Sequence, residues 1–181
     1  MALNMNTANK LTIFRIVLIP FFVILLIYHN ITAALLIFGL ASVTDATDGL
    51  IARRWNQKTR LGTFLDPMAD KALLVTSFIT LAVLHLLPTW LAVITISRDI
   101  IIVLGALIVY ILTGNLNFSP TILGKMTTMV QILTVLVVLI GYHLQRVSSC
   151  LPAFVWLTAG ITVASGFQYL YIGMEMLNET S

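Results

Sequence analysis

Four aspartates fall between positions 45 and 70 of a chain that is otherwise almost free of acid. They are Asp45, Asp48, Asp66 and Asp70, among only 7 acidic residues in 181. Hydrophobic segments long enough to span a bilayer flank them, and a carboxylate at membrane depth is costly unless it is paired, hydrated or bound to a cation. Few basic side chains lie nearby, so a divalent metal site is the simplest explanation.

The spacing of these aspartates supports a shared site. Asp45 and Asp48 are three residues apart, and Asp66 and Asp70 are four apart, so each pair lies on one face of a helix. Two antiparallel helices joined by a short loop would bring the two pairs into one pocket. Hard oxygen ligands suit Mg²⁺, Mn²⁺ or Ca²⁺ better than zinc.

Composition identifies the kind of protein that carries this pocket. Hydrophobic residues make up 59 % of the chain and charged residues 9 %, against about 25 % charged in soluble domains. We predict an all-α integral membrane protein with a single domain over residues 1–181. Six hydrophobic segments are predicted as transmembrane helices: 11–28, 32–51, 65–86, 90–112, 126–142 and 152–174. A net charge of +3 is too small to indicate nucleic-acid binding.

Basic residues indicate the orientation of the chain in the membrane. They concentrate at the N-terminus, between the second and third segments and at the start of the fifth: Lys10, Arg15, Arg53, Arg54, Lys58, Arg60 and Lys125. The opposite side carries only Arg146. The positive-inside rule therefore places both termini and the aspartate pocket in the cytoplasm. The composition of residues 1–15 predicts a short helix at the membrane interface. A disordered segment is an equally good prediction for the first six residues.

Small residues accompany the aspartates on the same predicted faces. Gly49, Ala52 and Gly62 leave room where a ligand must approach the helix backbone closely. Packing of one helix against another is the alternative explanation. Beside four carboxylates, the ligand explanation is favoured.

Written as a string, residues 45–70 read D-x2-D-G-x2-A-R-x8-G-x3-D-x3-D. Every fixed position matches the signature of the CDP-alcohol phosphatidyltransferase family, which this chain also resembles in length and number of spans. The resemblance implies a membrane enzyme that transfers a substituted phosphate from a CDP-linked lipid to an alcohol and releases CMP. It also implies a homodimer in a bacterial inner membrane, with the active site facing the cytoplasm.

The resemblance assigns roles to the aspartates. Asp45, Asp48 and Asp66 would hold one or two Mg²⁺ or Mn²⁺ ions, and Asp70 would share in their coordination. Asp70 would also act as the general base that takes the proton from the attacking hydroxyl.

The resemblance further implies a nucleotide site beside the metals. Gly49, Ala52 and Gly62 would let the cytidine nucleotide lie against the helices, and Arg53 would lie near its phosphates. Thr44 would border the nucleotide.

Two cations outside the signature are candidates for the acceptor site. Arg98 lies within the fourth segment and Lys125 opens the fifth. Because an arginine inside a membrane span is costly and rarely without function, we predict that both clamp a phosphate on the acceptor. The alternatives are that Arg98 pairs with Asp99 or the aspartate cluster, and that Lys125 anchors its helix at the interface.

The acceptor itself is inferred from resemblance alone. Residues 9–15 are similar to the bacterial members of the family that use glycerol-3-phosphate, although Lys10 departs from their N-terminal pattern. Residues 96–99 and 124–128 are similar to those members and also to the cardiolipin-forming members. With CDP-diacylglycerol as donor, glycerol-3-phosphate is the predicted acceptor. The alternative is phosphatidylglycerol, the acceptor of the cardiolipin-forming members. A carboxylate-lined cation channel is a competing class, but it predicts acids spread over several spans.

Overall fold

The computed structural model describes the backbone of residues 7–55, 60–113 and 121–178, and the side chains within 13–44, 68–112, 121–144 and 146–176. Every regular element in these residues is helical. The helices are α1 (Thr7–Ile27), α2 (Ile31–Trp55), α3 (Arg60–Val83), α4 (Thr89–Thr113), α5 (Ile122–Gly141), α6 (Gln145–Ser148) and α7 (Leu151–Asn178).

The six long helices pack as two groups of three. In one group α1 lies against both α2 and α3, and in the other α7 lies against both α4 and α5. Contacts of α3 with α4 and α5, and of α2 with α5, join the groups. Helix α3, which carries Asp66 and Asp70, therefore lies where the two groups meet.

Apolar residues at helical spacing form the core that holds the groups together. On α2 the buried positions are Ile31, Ala34, Phe38 and Ala41, separated by three or four residues as one helix face requires. The ring of Phe38 meets that of Phe22 on α1, with centroids 5.6 Å apart. This packing fixes α2 against α1 within the first group.

Two histidines close the turns at the ends of α1 and α3. His29 and His85 have positive φ angles of 57° and 58°, a conformation that histidine adopts more readily than most residues. The residue after each histidine donates a backbone hydrogen bond to the last turns of the helix. The Asn30 N–H donates to the Leu25 carbonyl, and the Leu86 N–H donates to the Leu81 carbonyl. Helices are commonly ended in this way, so both hairpins reverse within a few residues.

Membrane insertion is consistent with the exterior of the bundle. Three helical stretches in the described residues are long and apolar enough to cross a membrane: Thr89–Leu112, Ile122–Gly141 and Arg146–Met176. Two shorter apolar stretches are Ile13–Ile27 and Ile31–Thr44. Large apolar side chains such as Ile111 and Trp156 are about 70 % exposed, as expected of surfaces that face lipid.

The helices differ from the predicted segments in two places. The short helix α6 has no counterpart in the prediction, because four residues are too few to show a period. The predicted N-terminal interfacial helix is not separate in the described part, since residues 7–27 form one continuous helix. Residues 1–6 lie outside the described residues.

Candidate active site

The predicted metal ligands come from the adjoining ends of α2 and α3. Asp45 and Asp48 belong to the C-terminal half of α2, and Asp66 and Asp70 to the N-terminal half of α3. The side chains of the first three lie outside the described residues. Within the described side chains, no three His, Cys, Asp or Glu residues come together as a metal site would require.

The predicted nucleotide residues divide in the same way. Gly49, Ala52, Arg53 and Gly62 lie outside the described residues beyond their positions on α2 and α3. Thr44 is described, and its hydroxyl donates to carbonyl oxygens of its own helix, at 2.6 Å to Leu40 and 3.0 Å to Ala41. The contact of Thr44 with a nucleotide stays a prediction.

Asp70 is held by an arginine from the first helix. Arg15 on α1 forms an ion pair with the Asp70 carboxylate through Nη1 and Oδ1. Arg15 is 1 % exposed and Asp70 is 33 % exposed, so one partner is buried while the other reaches accessible space. A buried guanidinium is tolerated only when an anion compensates it. The pair therefore fixes the Asp70 carboxylate in position and leaves it partly accessible.

Asp70 also lines a small cavity between α2, α3 and α5. The cavity has a volume of about 40 Å³, and Ser42 and Thr128 contribute hydroxyls to its wall. Thr128 lines a second, larger cavity as well. The two cavities therefore share Thr128 in their walls, and two consecutive residues of α3 line them, Asp70 the smaller and Lys71 the larger.

The larger cavity, which we call the cationic cavity, lies between α3, α4, α5 and α7. Its volume is about 270 Å³, and its polar wall includes Lys71, Arg98, Asp99, Lys125, Thr128 and Tyr169. Three of these side chains carry a positive charge and one a negative charge. The structure thus brings Arg98 and Lys125 to the same cavity, as a phosphate clamp requires.

Arg98 is fixed in this cavity by several contacts. Its Nη1 donates to Asp99 Oδ1 at 3.0 Å and its Nη2 donates to Ser165 Oγ at 2.5 Å. The guanidinium carbon lies 5.4 Å from the centre of the Tyr169 ring, within the range of a cation–π contact. The Nε atom is buried and has no hydrogen-bond partner in the described residues, so the guanidinium retains donor capacity.

Asp99 compensates two cations at once. It pairs with Lys71 from α3 as well as with Arg98. The pairing of Arg98 with Asp99, one of the alternatives predicted from the sequence, is therefore observed, and Arg98 also lines the cationic cavity.

Lys125 is exposed and forms no ion pair with any described residue. The described side chains therefore leave the cavity with an excess of positive charge.

Tyr169 connects α7 to the first turn of α5. Its hydroxyl oxygen accepts a hydrogen bond from the Thr121 backbone N–H at 3.3 Å. Thr121 caps α5, and its side chain accepts from the Gly124 N–H at 3.0 Å. A Cβ atom at Gly124 would lie 2.8 Å from the Tyr169 hydroxyl, so a larger residue there would require the tyrosine to shift. This arrangement sets the position of Lys125, the next residue.

The sequence does not identify several of these residues as part of a site. It indicates Arg15 only as a signal of orientation and as part of the N-terminal pattern, and it gives no sign of a role for Ser165 or Tyr169. Arg98 and Ser165 are 67 residues apart, and no local spacing indicates such a contact. An intramembrane arginine signals that partners must exist, but it does not identify them.

The similarity of this chain to known proteins extends over most of its length. The model of the CDP-alcohol phosphatidyltransferase family matches residues 5–165. A CDP-diacylglycerol–glycerol-3-phosphate 3-phosphatidyltransferase from Sodalis glossinidius is 38 % identical over 185 aligned positions, which cover 98 % of this chain and 100 % of that protein. The Escherichia coli protein of the same name is 48 % identical over 107 positions, or 55 % of this chain and 58 % of its own length.

A second kind of relative carries a different name. The cardiolipin synthase (CMP-forming) of Rattus norvegicus is 33 % identical over 184 positions, which cover 92 % of this chain and 61 % of that protein. The chain thus spans about three-fifths of the rat protein and the full length of the Sodalis protein.

Proposed function

The chain belongs to the CDP-alcohol phosphatidyltransferase family, and we propose that it transfers a phosphatidyl group from CDP-diacylglycerol to glycerol-3-phosphate. The products are phosphatidylglycerol phosphate and CMP. One observation carries the proposal: Asp70 and the cationic cavity adjoin each other across Thr128. An acceptor whose phosphate lies in that cavity would be bound next to the space that Asp70 lines.

The cationic cavity supplies the acceptor contacts. Arg98 and Lys125 bind the phosphate of glycerol-3-phosphate, in line with the name of the Sodalis relative. The buried Arg98 is held by Asp99 and Ser165 and therefore needs little reorganisation when the acceptor binds. The exposed Lys125 adds attraction for the incoming anion.

Asp70 takes the proton in the transfer step. The acceptor hydroxyl oxygen attacks the phosphorus of the lipid-linked phosphate, its proton passes to the Asp70 carboxylate, and the bond from that phosphorus to the CMP oxygen breaks. Arg15 holds the carboxylate in position through its buried guanidinium, which favours a well-defined geometry for proton transfer.

The donor set fits a divalent cation, on which the family generally depends. Two pairs of carboxylates from adjoining helices are hard oxygen ligands of the kind that Mg²⁺ and Mn²⁺ prefer. Asp45, Asp48 and Asp66, with Asp70 sharing, would hold one or two ions, which supply charge neutralisation for the pyrophosphate and the leaving CMP. Gly49, Ala52, Gly62, Arg53 and Thr44 would border the nucleotide.

Placement in the membrane completes the proposal. Six spans are proposed from the six hydrophobic segments, and cytoplasmic termini with a cytoplasmic active site from the distribution of basic residues. A bacterial inner membrane is proposed from the family resemblance. The single domain and the homodimer implied by the family resemblance remain predictions. Cross-linking of the detergent-solubilised protein measures the oligomeric state.

Purified protein with CDP-diacylglycerol, Mg²⁺ or Mn²⁺ and one acceptor at a time tests the reaction. CMP release with glycerol-3-phosphate but not with phosphatidylglycerol is the expected result. Release with phosphatidylglycerol alone would replace the proposed acceptor by that of the rat relative. Cation flux in proteoliposomes without CMP release would contradict the enzymatic function altogether.

A further inference from the structure

An apolar groove runs along the outer surface of α4 and α7 beside Arg98. Its volume is about 250 Å³, and it is lined mainly by Val93, Ile94 and Ile101 from α4 and Val163, Gly166 and Phe167 from α7. Phe167 is 69 % exposed and Val93 is 58 % exposed, so the groove is open to the lipid phase rather than enclosed in the core.

Arg98 connects this groove to the cationic cavity. It lines both spaces, and no other described residue does so. At Gly166 a Cβ atom would lie 3.6 Å from Arg98 Cγ, so the apolar stem of the arginine lies directly against α7 in the groove. The guanidinium extends to Asp99 and Ser165. One side chain therefore provides an apolar surface on one side and a positive charge on the other.

The length of the groove fits part of an acyl chain. Val93 and Ile101 are eight residue steps apart on α4, which corresponds to about 12 Å at about 1.5 Å per residue. One leaflet contributes about 15 Å, half of the hydrocarbon core of a bilayer. Apolar contact by itself does not select a ligand in a membrane, because the surrounding lipid tails are equally apolar. Selection must come from the charge at the end of the groove.

The charge there favours an anionic headgroup. Lys71, Arg98 and Lys125 face the cavity with Asp99 as the only described acidic residue in its wall. A phosphate next to an acyl chain complements a cationic cavity next to an apolar groove. We propose that an anionic diacyl phospholipid binds here, with its phosphate in the cationic cavity and one acyl chain in the groove between α4 and α7. Such a lipid competes with glycerol-3-phosphate, an effect that rests on the proposed function.

Phosphatidic acid is the most direct probe of this site. It contains the glycerol phosphate unit with both remaining hydroxyls esterified, so it can occupy the acceptor site without accepting a phosphatidyl group. In mixed micelles it should raise the apparent KM for glycerol-3-phosphate about fivefold, the order contributed by one cationic side chain near an anionic lipid. Phosphatidylcholine at the same mole fraction should leave the KM unchanged.

Two tryptophan variants separate specific binding from a general effect of surface charge. Val163→Trp fills the groove, and Val163 is 43 % exposed, so the core is not disturbed. The matched control is Leu157→Trp, which changes an exposed position of α7 outside the groove. Phosphatidic acid should lose most of its effect on KM in Val163→Trp and retain it in Leu157→Trp. An equal effect in both variants would overturn the proposal.

A binding measurement decides the inference even if glycerol-3-phosphate is not the acceptor. In Phe167→Trp the added fluorescence should be quenched more strongly by brominated phosphatidic acid than by brominated phosphatidylcholine. At Leu157→Trp the two lipids should quench equally. Equal quenching at both positions would refute the lipid site, whereas absence of turnover with glycerol-3-phosphate alone would contradict only the proposed reaction.

Discussion

Arg15 of α1 and Asp70 of α3 form an ion pair across 55 residues of sequence. The guanidinium is buried and the carboxylate is partly accessible, so the pair joins the core of the first helix group to the edge of the candidate active site. The residue proposed to remove the acceptor proton is thus positioned by a helix that contributes no aspartate to the signature.

Loss of Arg15 should affect both folding and catalysis. Arg15→Ala is expected to destabilise the protein by about 1–3 kcal/mol, less than for a fully buried pair because Asp70 is partly exposed. It should also lower kcat, since the Asp70 carboxylate loses its position. Thermal unfolding in detergent and CMP release measure the two effects. The control Arg146→Ala removes an exposed arginine on α6 and should change neither; equal effects of the two variants would contradict the role of the pair.

Asp70→Asn tests the proton acceptor. The amide keeps the size of the side chain and an oxygen that accepts from Arg15, but it removes the charge that compensates the buried guanidinium, so the unfolding temperature should fall and is measured beside turnover. The kcat should fall by about 10²–10⁴-fold, the usual contribution of a general base, while CDP-diacylglycerol still binds. Glu175→Gln makes the same change at an exposed position of α7 and serves as control. Near-normal turnover of Asp70→Asn would refute the assignment.

Arg98→Ala should act on the acceptor rather than on the lipid donor. Loss of a charge-assisted contact is expected to lower kcat/KM for glycerol-3-phosphate about 10- to 100-fold. Arg98→Lys should recover part of this loss, because lysine keeps the charge without the planar fork. Lys125→Ala should act in the same direction without changing the unfolding temperature. Steady-state kinetics with varied glycerol-3-phosphate measures these effects, and an unchanged acceptor dependence would exclude the clamp.

Gly124→Ala tests how the first turn of α5 is positioned. The added methyl group would meet the Tyr169 hydroxyl at 2.8 Å, so the tyrosine must move and Lys125 with it. A several-fold rise in the KM for glycerol-3-phosphate is expected. The double variant Gly124→Ala/Tyr169→Phe removes the clashing oxygen and should recover part of the affinity. Failure of that rescue would indicate that the clash is not the cause.

Removal of divalent metal should abolish turnover reversibly. Chelation by EDTA is expected to stop CMP release, and added Mg²⁺ or Mn²⁺ should restore it. Asp45→Asn and Asp48→Asn should each raise the metal concentration required for half-maximal activity. Activity that survives exhaustive chelation would contradict a metal site in the aspartate signature.

Much of the fold follows from local patterns in the sequence. Apolar segments of about 20 residues, interrupted at His29-Asn30 and Leu87-Pro88, predict helices that the structure places at 7–27, 31–55, 60–83 and 89–113. Helix formation depends on neighbours three and four residues away, which explains this agreement. The same spacing places Asp66 and Asp70 on one face of α3 before any tertiary contact is known.

The signature from Asp45 to Asp70 likewise identifies the family without coordinates. Its fixed positions lie on two consecutive helices, α2 and α3, so a short stretch of sequence contains the whole pattern. The family match over residues 5–165 agrees with that inference. The orientation of the site in the membrane remains a prediction from the basic residues.

Only the tertiary structure determines which charged side chains form ion pairs. The sequence allows Asp99 or the aspartate cluster as partners of Arg98 and indicates Arg15 only as a signal of orientation. The fold pairs Arg15 with Asp70 and places Arg98 between Asp99 and Ser165. Such contacts depend on how separate helices pack, and packing is set by the shapes of many side chains at once. Spacing along one helix contains no information about the partner that a different helix presents.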